Sequence, residues 1–193
     1  AKGAKLTIDN ELGQQGSIEV LNNTNVTRSG AAIGGNGEQD AGIIHIKGGT
    51  VSATSASKGA AIGASVGKSV EEIWISGGNV TAKSSGGAGI GTGSATKDRT
   101  GKIVIEGGTV NASSWKGAGI GSGSGYAAGS PAIIAEIEIH GGMITAYSYD
   151  GACIGSGRDS SSSVLIDGGT ICLVKENNES GRNAAHIGKG YES

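Results

Sequence analysis

The sequence predicts an all-β fold: a right-handed parallel β-helix (solenoid) of about six rungs, each of about 30 residues. The first reason is a phrase, Ile-x-Ile-x-Gly-Gly-x-Val-x-Ala, that recurs along most of the chain and is followed by Gly-Ala-x-Ile-Gly. The second reason is composition, because 39 of the 193 residues are glycine, none is phenylalanine and one is proline. The apolar residues are mainly Ile, Val and Ala, which suit a narrow core of stacked side chains.

Each repeat is expected to form three short strands separated by corners, as one copy illustrates. Its Ile-Trp-Ile segment, residues 73–75, alternates inward and outward positions like a strand with one buried face. The glycines at 77–78 then form a corner where φ is positive or a Cβ would clash. Residues 80–82 form the second strand, and residues 88–91, which contain an Ile-Gly pair, form the third.

Equivalent apolar residues are expected to stack in inward columns, with successive rungs about 4.8 Å apart. One rung cannot bury its apolar face alone, but neighbouring rungs bury each other. The four predicted columns are Ile44, Ile73, Ile103, Ile137, Val164; Ile46, Ile75, Ile105, Ile139, Ile166; Val51, Val80, Val110, Ile144, Ile171; and the Ile-Gly isoleucines Ile33, Ile62, Ile90, Ile120, Ile154, Ile187.

The whole chain, residues 1–193, is interpreted as a single β-helix repeat domain. Residues 1–40 are interpreted as degenerate first rungs, residues 41–174 as regular rungs and residues 175–193 as a stretched last rung. In the first copy, Ile18-Glu19-Val20 is taken as the Ile-x-Ile phrase, with Asn22-Asn23 in place of Gly-Gly. The chain starts at Ala1 without Met and shows no capping helix pattern, so we expect a fragment of a larger protein.

Charge and cysteine usage exclude several classes of partner. The formal charge is −2 with both signs mixed, so neither nucleic acid nor an anionic membrane is an expected partner. No apolar run is long enough for membrane insertion. Cys153 and Cys172 occupy non-equivalent slots, and we interpret both as buried small hydrophobic residues. The three histidines fall in different columns, so we expect no metal site and no cofactor.

The glycine-rich phrases resemble the repeats of large bacterial cell-surface proteins, common in Gram-positive gut organisms. They are also similar to a family of β-helical carbohydrate-binding proteins related in fold to pectate lyases. The resemblance covers roughly residues 18–190. It implies an extracellular β-helix that binds a glycan or another cell-surface ligand. Those carbohydrate-binding relatives often carry Asp in the third phrase, which suits calcium, whereas this chain has Gly-Ala-Gly-Ile-Gly there.

One group of aromatic residues stands out as a candidate ligand-binding site. Trp115 and Tyr149 each lie five residues before the Ile of an Ile-Gly pair, so they are expected to stack on adjacent rungs. Tyr147 lies two residues earlier on the same side, and Lys116 and Asp150 are equivalent neighbours of the pair. In earlier repeats the position equivalent to Trp115 and Tyr149 is serine, so the solenoid does not require an aromatic residue there. The cluster therefore suggests a platform for sugar stacking with two polar contacts.

The remaining outward residues allow less specific interpretations. The aromatic cluster could instead pack against the inserted loop around Tyr126. His45 and Trp74 share a column and either cover the sheet or stack with a ligand. A ladder of residues before the Gly-Gly pairs is interpreted as a solvated charged face and not as a catalytic site. Its members are Lys47, Ser76, Glu106, His140 and Asp167.

The preferred functional hypothesis is a secreted or cell-surface adhesin or carbohydrate-binding module without catalytic activity. A structural stalk that holds another domain away from the cell is the second hypothesis. A pectate-lyase-like polysaccharide lyase or hydrolase is the third, and an ice-binding protein is the fourth. A lyase needs clustered carboxylates together with a base, and the sequence shows no such cluster on neighbouring rungs. Ice binding needs a regular array of threonines, and the outward columns of this sequence mix threonine with other residues.

Overall fold

The computed structural model describes residues 3–10, 16–23, 29–95, 101–125, 133–175 and 184–191, with 133–135 described through the backbone alone. Within these ranges the chain forms 18 strands and no helix that could cross a membrane. The strands are β1 Lys5–Ile8, β2 Ser17–Asn22, β3 Ile33–Gly34, β4 Ala41–Ile46, β5 Thr50–Ser55, β6 Ile62–Gly63, β7 Val70–Ile75, β8 Asn79–Ser84, β9 Ile90–Gly91, β10 Lys102–Ile105, β11 Thr109–Ser114, β12 Ile120–Gly121, β13 Ile133–Ile139, β14 Met143–Ser148, β15 Ile154–Gly155, β16 Ser161–Ile166, β17 Thr170–Val174 and β18 Ile187–Gly188.

Every third strand joins the same sheet, which is the arrangement of a parallel β-helix. Sheet A has the order β1-β4-β7-β10-β13-β16, sheet B runs from β2 to β17, and sheet C runs from β3 to β18. All pairings between these strands are parallel, and each sheet has six strands. The predicted fold class is therefore confirmed, and the winding agrees with the predicted right-handed sense.

The predicted core columns are confirmed by the strand register. Ile105 of sheet A, for example, pairs with Ile75 on one side and with Ile139 on the other. All three side chains are fully buried. The equivalent isoleucines of the Ile-Gly phrase pair in sheet C in the same way, as Ile120 does with Ile90 and Ile154. The core is thus a stack of equivalent layers, and each inner layer is buried by its two neighbours. Ile187 of the last coil continues its column in register but is 46 % exposed.

The Gly-Gly corners have the predicted backbone, with a φ of 86° at Gly108.

The predicted register of the first coil is wrong. Strand β1, which contains Leu6 and Ile8, pairs with Ile44 and Ile46, so it supplies the Ile-x-Ile strand of this coil. Residues 18–20 instead pair with residues 51–53 in sheet B. Short alternating strands of sheets A and B look alike in sequence, and the first coil lacks the Gly-Gly pair that distinguishes them.

The interpretation of the cysteines is half right. Cys153 is fully buried, and its thiol donates to the carbonyl oxygen of Val174 at 3.3 Å. Burial raises the pKa of the Cys153 thiol, which keeps it in the uncharged form. Cys172 is exposed, because it pairs with Thr145 in the outward register of sheet B. Both thiols are free.

Candidate functional site

The predicted stacking of Trp115 on Tyr149 is confirmed. Their ring centroids lie 4.2 Å apart and the ring planes differ by 10°. The parallel backbone ladder continues past strands β11 and β14 and fixes this geometry. The Trp115 amide donates to Ser84 at 3.1 Å, and the Tyr149 amide donates to Ser114 at 3.2 Å. Trp115 is 52 % exposed although it is one of the largest apolar side chains, so half of its surface faces solvent.

The three remaining predicted site residues differ in exposure and position, and of these only Lys116 lines the groove described below. Lys116 is exposed and lies beside the indole. Asp150 is 1 % exposed, and its amide donates to the carbonyl oxygen of Trp115 at 2.9 Å. Tyr147 is half-buried and pairs in register with Ser113. Lys116 can thus contact a ligand directly, whereas the burial of Asp150 suits it to support of the corner.

A ladder of buried serines holds the corner beneath the stack. The Ser114 hydroxyl donates to the carbonyl oxygen of Gly87 in the preceding coil at 2.7 Å, and it accepts from the amide of Gly117 at 2.9 Å. Ser148 repeats this pattern one coil later and donates to the carbonyl oxygen of Gly117 at 2.7 Å. Because these hydroxyls are buried and satisfied, they tie successive coils together just before the aromatic residues.

A groove with a volume of about 430 Å³ opens beside the stack. One wall is the corner after the second strand of each coil, and it includes Trp115 and Lys116 from one coil and Lys58 from two coils earlier. Ser85 and Gly86, from the coil between them, also line the groove. The volume lies within the usual range of small-molecule sites.

The other wall is the segment that follows the third strand of each coil, which turns back towards the corner. The amide of Ser94 donates to the carbonyl oxygen of Lys58 at 2.9 Å. The hydroxyls of Ser94 and Ser124 donate to the carbonyl oxygen of Gly86 at 2.9 and 3.3 Å. These hydrogen bonds between the two walls form the base of the groove.

The shape of the groove follows from small residues in the middle coil. Successive coils are about 4.8 Å apart, so the coils of Lys58 and Trp115 are about 10 Å apart. In the coil between them, the corner carries only the small residues Ser85 and Gly86, which leaves a slot between Lys58 and Trp115. A Cβ on Gly86 would lie 3.0 Å from the Cα of Lys58, so a larger residue at this position would crowd the backbone of the preceding coil. Tyr149 covers one face of the indole of Trp115. The other face is therefore turned towards this slot.

Sequence reasoning did not identify Lys58, Ser94, Ser124 and Arg158 as residues of the site. A signal for Arg158 was present in the repeats. The phrases Gly-Thr-Gly-Ser and Gly-Ser-Gly-Ser end at Ser94 and Ser124, and the next copy reads Gly-Ser-Gly-Arg. Arginine thus replaces serine in one coil, just as tryptophan replaces serine in the aromatic slot. Tyr126, against which the aromatic cluster could have packed, lies outside the described residues.

The pair of His45 and Trp74 forms a second stack, on sheet A. The ring centroids are 4.1 Å apart and the ring planes differ by 8°. His45 is only 4 % exposed, and its Nε2 lies 3.2 Å from the hydroxyl of Ser76. Burial, with nearby Lys5, lowers the pKa of His45 and favours the neutral ring. A ring buried to this extent covers the sheet and offers no face to a ligand.

Two members of the ladder before the Gly-Gly pairs, His140 and Asp167, belong to a chain of ion pairs on sheet A. His140 lies between two carboxylates, with Nδ1 2.7 Å from Asp167 and Nε2 3.2 Å from Glu138. Glu138 also accepts from the Lys102 ammonium at 2.7 Å. The hydrogen bond to Asp167, with that to Glu138, raises the pKa of His140. Within the described ranges, no group of three or more His, Cys, Asp or Glu side chains is arranged so that it could hold a metal ion.

These ion pairs predict a pH dependence of stability. The pKa of His140 is raised above about 6.5 in the folded state, so protonated His140 stabilises the fold fully below that pH. This contribution is lost as the pH rises through the folded pKa. Wild type should therefore melt at a higher temperature than His140→Gln near pH 6 and at the same temperature near pH 9. Thermal melts across this range measure the difference.

The matched control is His186→Gln, which removes an exposed histidine outside this chain of ion pairs. Its melting temperature should follow the wild type at every pH. A difference between wild type and His140→Gln that stays constant from low to high pH would show that protonation of His140 does not contribute to stability.

The comparisons with known proteins agree with the architecture. A family model described as Beta helix repeat matches residues 44–66, 73–94, 103–124 and 137–158. Each matched segment starts in a strand of sheet A and ends just after a strand of sheet C, so it spans the three strands of one coil. A comparison with curated proteins and one with solved structures gave no match. The four matched segments and the three parallel sheets together show that this chain contains a β-helical repeat domain.

Proposed function

We propose that this β-helix is a non-catalytic, extracellular or cell-surface module that binds a saccharide in the groove beside Trp115. The observation that carries the proposal is that the indole of Trp115 is half-exposed and lines one side of the groove. Exposing a tryptophan costs solvation free energy, and the equivalent slot one coil earlier holds Ser85, so the fold does not need an aromatic residue there.

The geometry suits a pyranose ring. The apolar C–H face of a sugar stacks on aromatic rings, and a ring placed on the open face of Trp115 would continue the column that Tyr149 begins. Tyr149 prevents the indole from rotating away, so little side-chain entropy is lost on binding. Ser85, which is exposed in the groove, brings a hydroxyl group that matches the hydrogen-bonding groups of a saccharide.

The proposal of binding without turnover is supported by the chemistry of the groove. Hydrolysis of a glycosidic bond generally requires two carboxyl groups on opposite sides of that bond. None of the described residues that line the groove is an aspartate or a glutamate. Asp150 is nearby but buried, and it supports the corner. The glycine-rich phrases resemble those of bacterial surface proteins, which supports the extracellular location.

A glycan array tests this proposal. Wild type should bind a subset of glycans, and Trp115→Ala should weaken that binding by about tenfold or more because the stacking surface is lost. Tyr147→Ala is the matched control, since Tyr147 is a half-buried aromatic on the same sheet that does not line the groove. It should bind like the wild type.

Circular dichroism and thermal melts of both variants should show the wild-type fold, because neither side chain belongs to the core. Binding that survives in Trp115→Ala would place the ligand elsewhere. A blank array for the wild type would contradict saccharide binding and would favour a structural stalk.

A further inference from the structure

Three cationic side chains line the groove from three directions. Lys116 is next to Trp115, Lys58 lies across the slot two coils earlier, and Arg158 belongs to the opposite wall. The amide of Arg158 lies 3.5 Å from the carbonyl oxygen of Lys116, which brings the two residues together. No acidic residue is among the described residues of the lining.

Two carboxylates lie close to this group but outside the lining: Asp159, and Asp150, which is buried in the coil after Lys116. The Nε of Arg158 lies 3.3 Å from the Oδ2 of Asp159. A guanidinium has five N–H donors in a planar fork, so one contact at Nε leaves donors at the terminal nitrogens for another acceptor. The lining thus carries three cationic side chains, and the carboxylates of Asp150 and Asp159 lie outside it, in a chain whose formal charge is −2.

The repeats show that this charge is not needed for folding. The corner position of Lys58 and Lys116 is occupied by Gly86 in the coil between them, and the position of Arg158 is occupied by Ser124 one coil earlier. Like charges around one cavity repel each other and destabilise the unliganded state. Cations placed around a cavity that has an aromatic wall are typical of a site for an anionic ligand.

We propose that the ligand is an acidic saccharide, that is, a sugar that carries a carboxylate or a sulfate group. This inference rests on the proposed function and adds the class of ligand. The sugar ring stacks on Trp115 in the slot over Ser85 and Gly86. Its anionic group lies towards Lys116 and Arg158, which are held together by their backbone contact. Lys58 closes the far side of the slot.

The probes are matched pairs of acidic and neutral saccharides, measured by calorimetry with wild type. One pair is a hexuronate oligosaccharide and its carboxyl-reduced form, and the other is a keratan sulfate oligosaccharide and its desulfated form, whose repeat carries no carboxylate. We expect the acidic member of one pair to bind about tenfold or more tightly than its neutral form, and more weakly as salt rises. The pair that shows the difference distinguishes carboxylate from sulfate. Excess chelator is present throughout, so that calcium bridging is excluded.

The variants are Lys116→Gln and Arg158→Gln, each of which should lose most of the preference for the acidic member. Lys47→Gln is the control, because it removes one positive charge at the corner between sheets A and B, away from the groove. It should keep the preference. Equal losses in all three variants would show a general effect of net charge and would overturn the proposal.

The outcomes separate this inference from the proposed function. If neutral saccharides bind as well as acidic ones and binding depends on Trp115, the groove binds sugars and the anionic class is wrong. If acidic saccharides bind and Trp115→Ala has no effect, the stacking site is wrong and so is this inference. If no saccharide binds, both proposals fail.

Discussion

Replacing Ile105 with aspartate is expected to unfold the middle coils. Ile105 is fully buried between Ile75 and Ile139, so the substitution removes a stacked side chain from two interfaces and leaves an unpaired carboxylate in the core. Loss of the buried isoleucine and burial of the polar group together cost about 4 kcal/mol or more, which approaches the whole stability of many domains. Thermal melts followed by circular dichroism measure the effect.

The matched control is Asn111→Asp. Asn111 is exposed on the outward side of β11 between Thr81 and Thr145, so the same new carboxylate there remains hydrated. Its melting temperature should stay close to the wild type. If Ile105→Asp melted like this control, position 105 would be solvated and the core register described above would be wrong.

The second large effect is expected at Gly121, where the third strand passes closely over the next coil. Its φ is +136°, and a Cβ built on it would overlap the carbonyl oxygen of Gly155 and lie 2.9 Å from the Cδ1 of Ile137. Both contacts are with the packed core, and one is with backbone, so the clash is relieved only by moving coils apart. Gly121→Ala should therefore destabilise the protein through strain and steric overlap together.

Gly188 provides the comparison that separates these two causes. It occupies the same column in the last coil with a φ of +113°, but nothing lies within 4 Å of its Cβ position. Gly188→Ala should cost only the backbone strain, about 1–3 kcal/mol, and Gly121→Ala should cost about 1–3 kcal/mol more. Chemical denaturation of both variants measures the difference. Equal costs would mean that the coils do not approach each other as closely as described.

The repeat period was sufficient to predict the core because each inward residue meets its own equivalent in the next coil. This explains why the isoleucine columns and the stack of Trp115 on Tyr149 were predicted correctly. It also explains the error in the first coil. There the alternation of Ile18 and Val20 fits a strand of sheet A or sheet B equally well, and no glycine pair marks the corner.

The groove could not be predicted in the same way, because it depends on contacts between non-equivalent positions. The approach of Ser94 to Lys58 and of Arg158 to Lys116 depends on how the segment after each third strand turns back. Nothing in the period specifies that path. Comparison of equivalent slots could have indicated Arg158, since arginine stands where Ser124 stands one coil earlier. Burial of Asp150 likewise depends on the local packing of one corner.

The fluorescence of Trp115 tests the binding site most directly. The chain has two tryptophans, so a Trp74→Phe variant reports on Trp115 alone. Titration with the tightest acidic saccharide from the paired comparison should change this emission saturably, with the same affinity that calorimetry gives. The reciprocal variant Trp115→Phe, which reports on Trp74 beneath His45, should show no change. Binding detected by calorimetry without any change in the Trp115 emission would contradict a saccharide site in this groove.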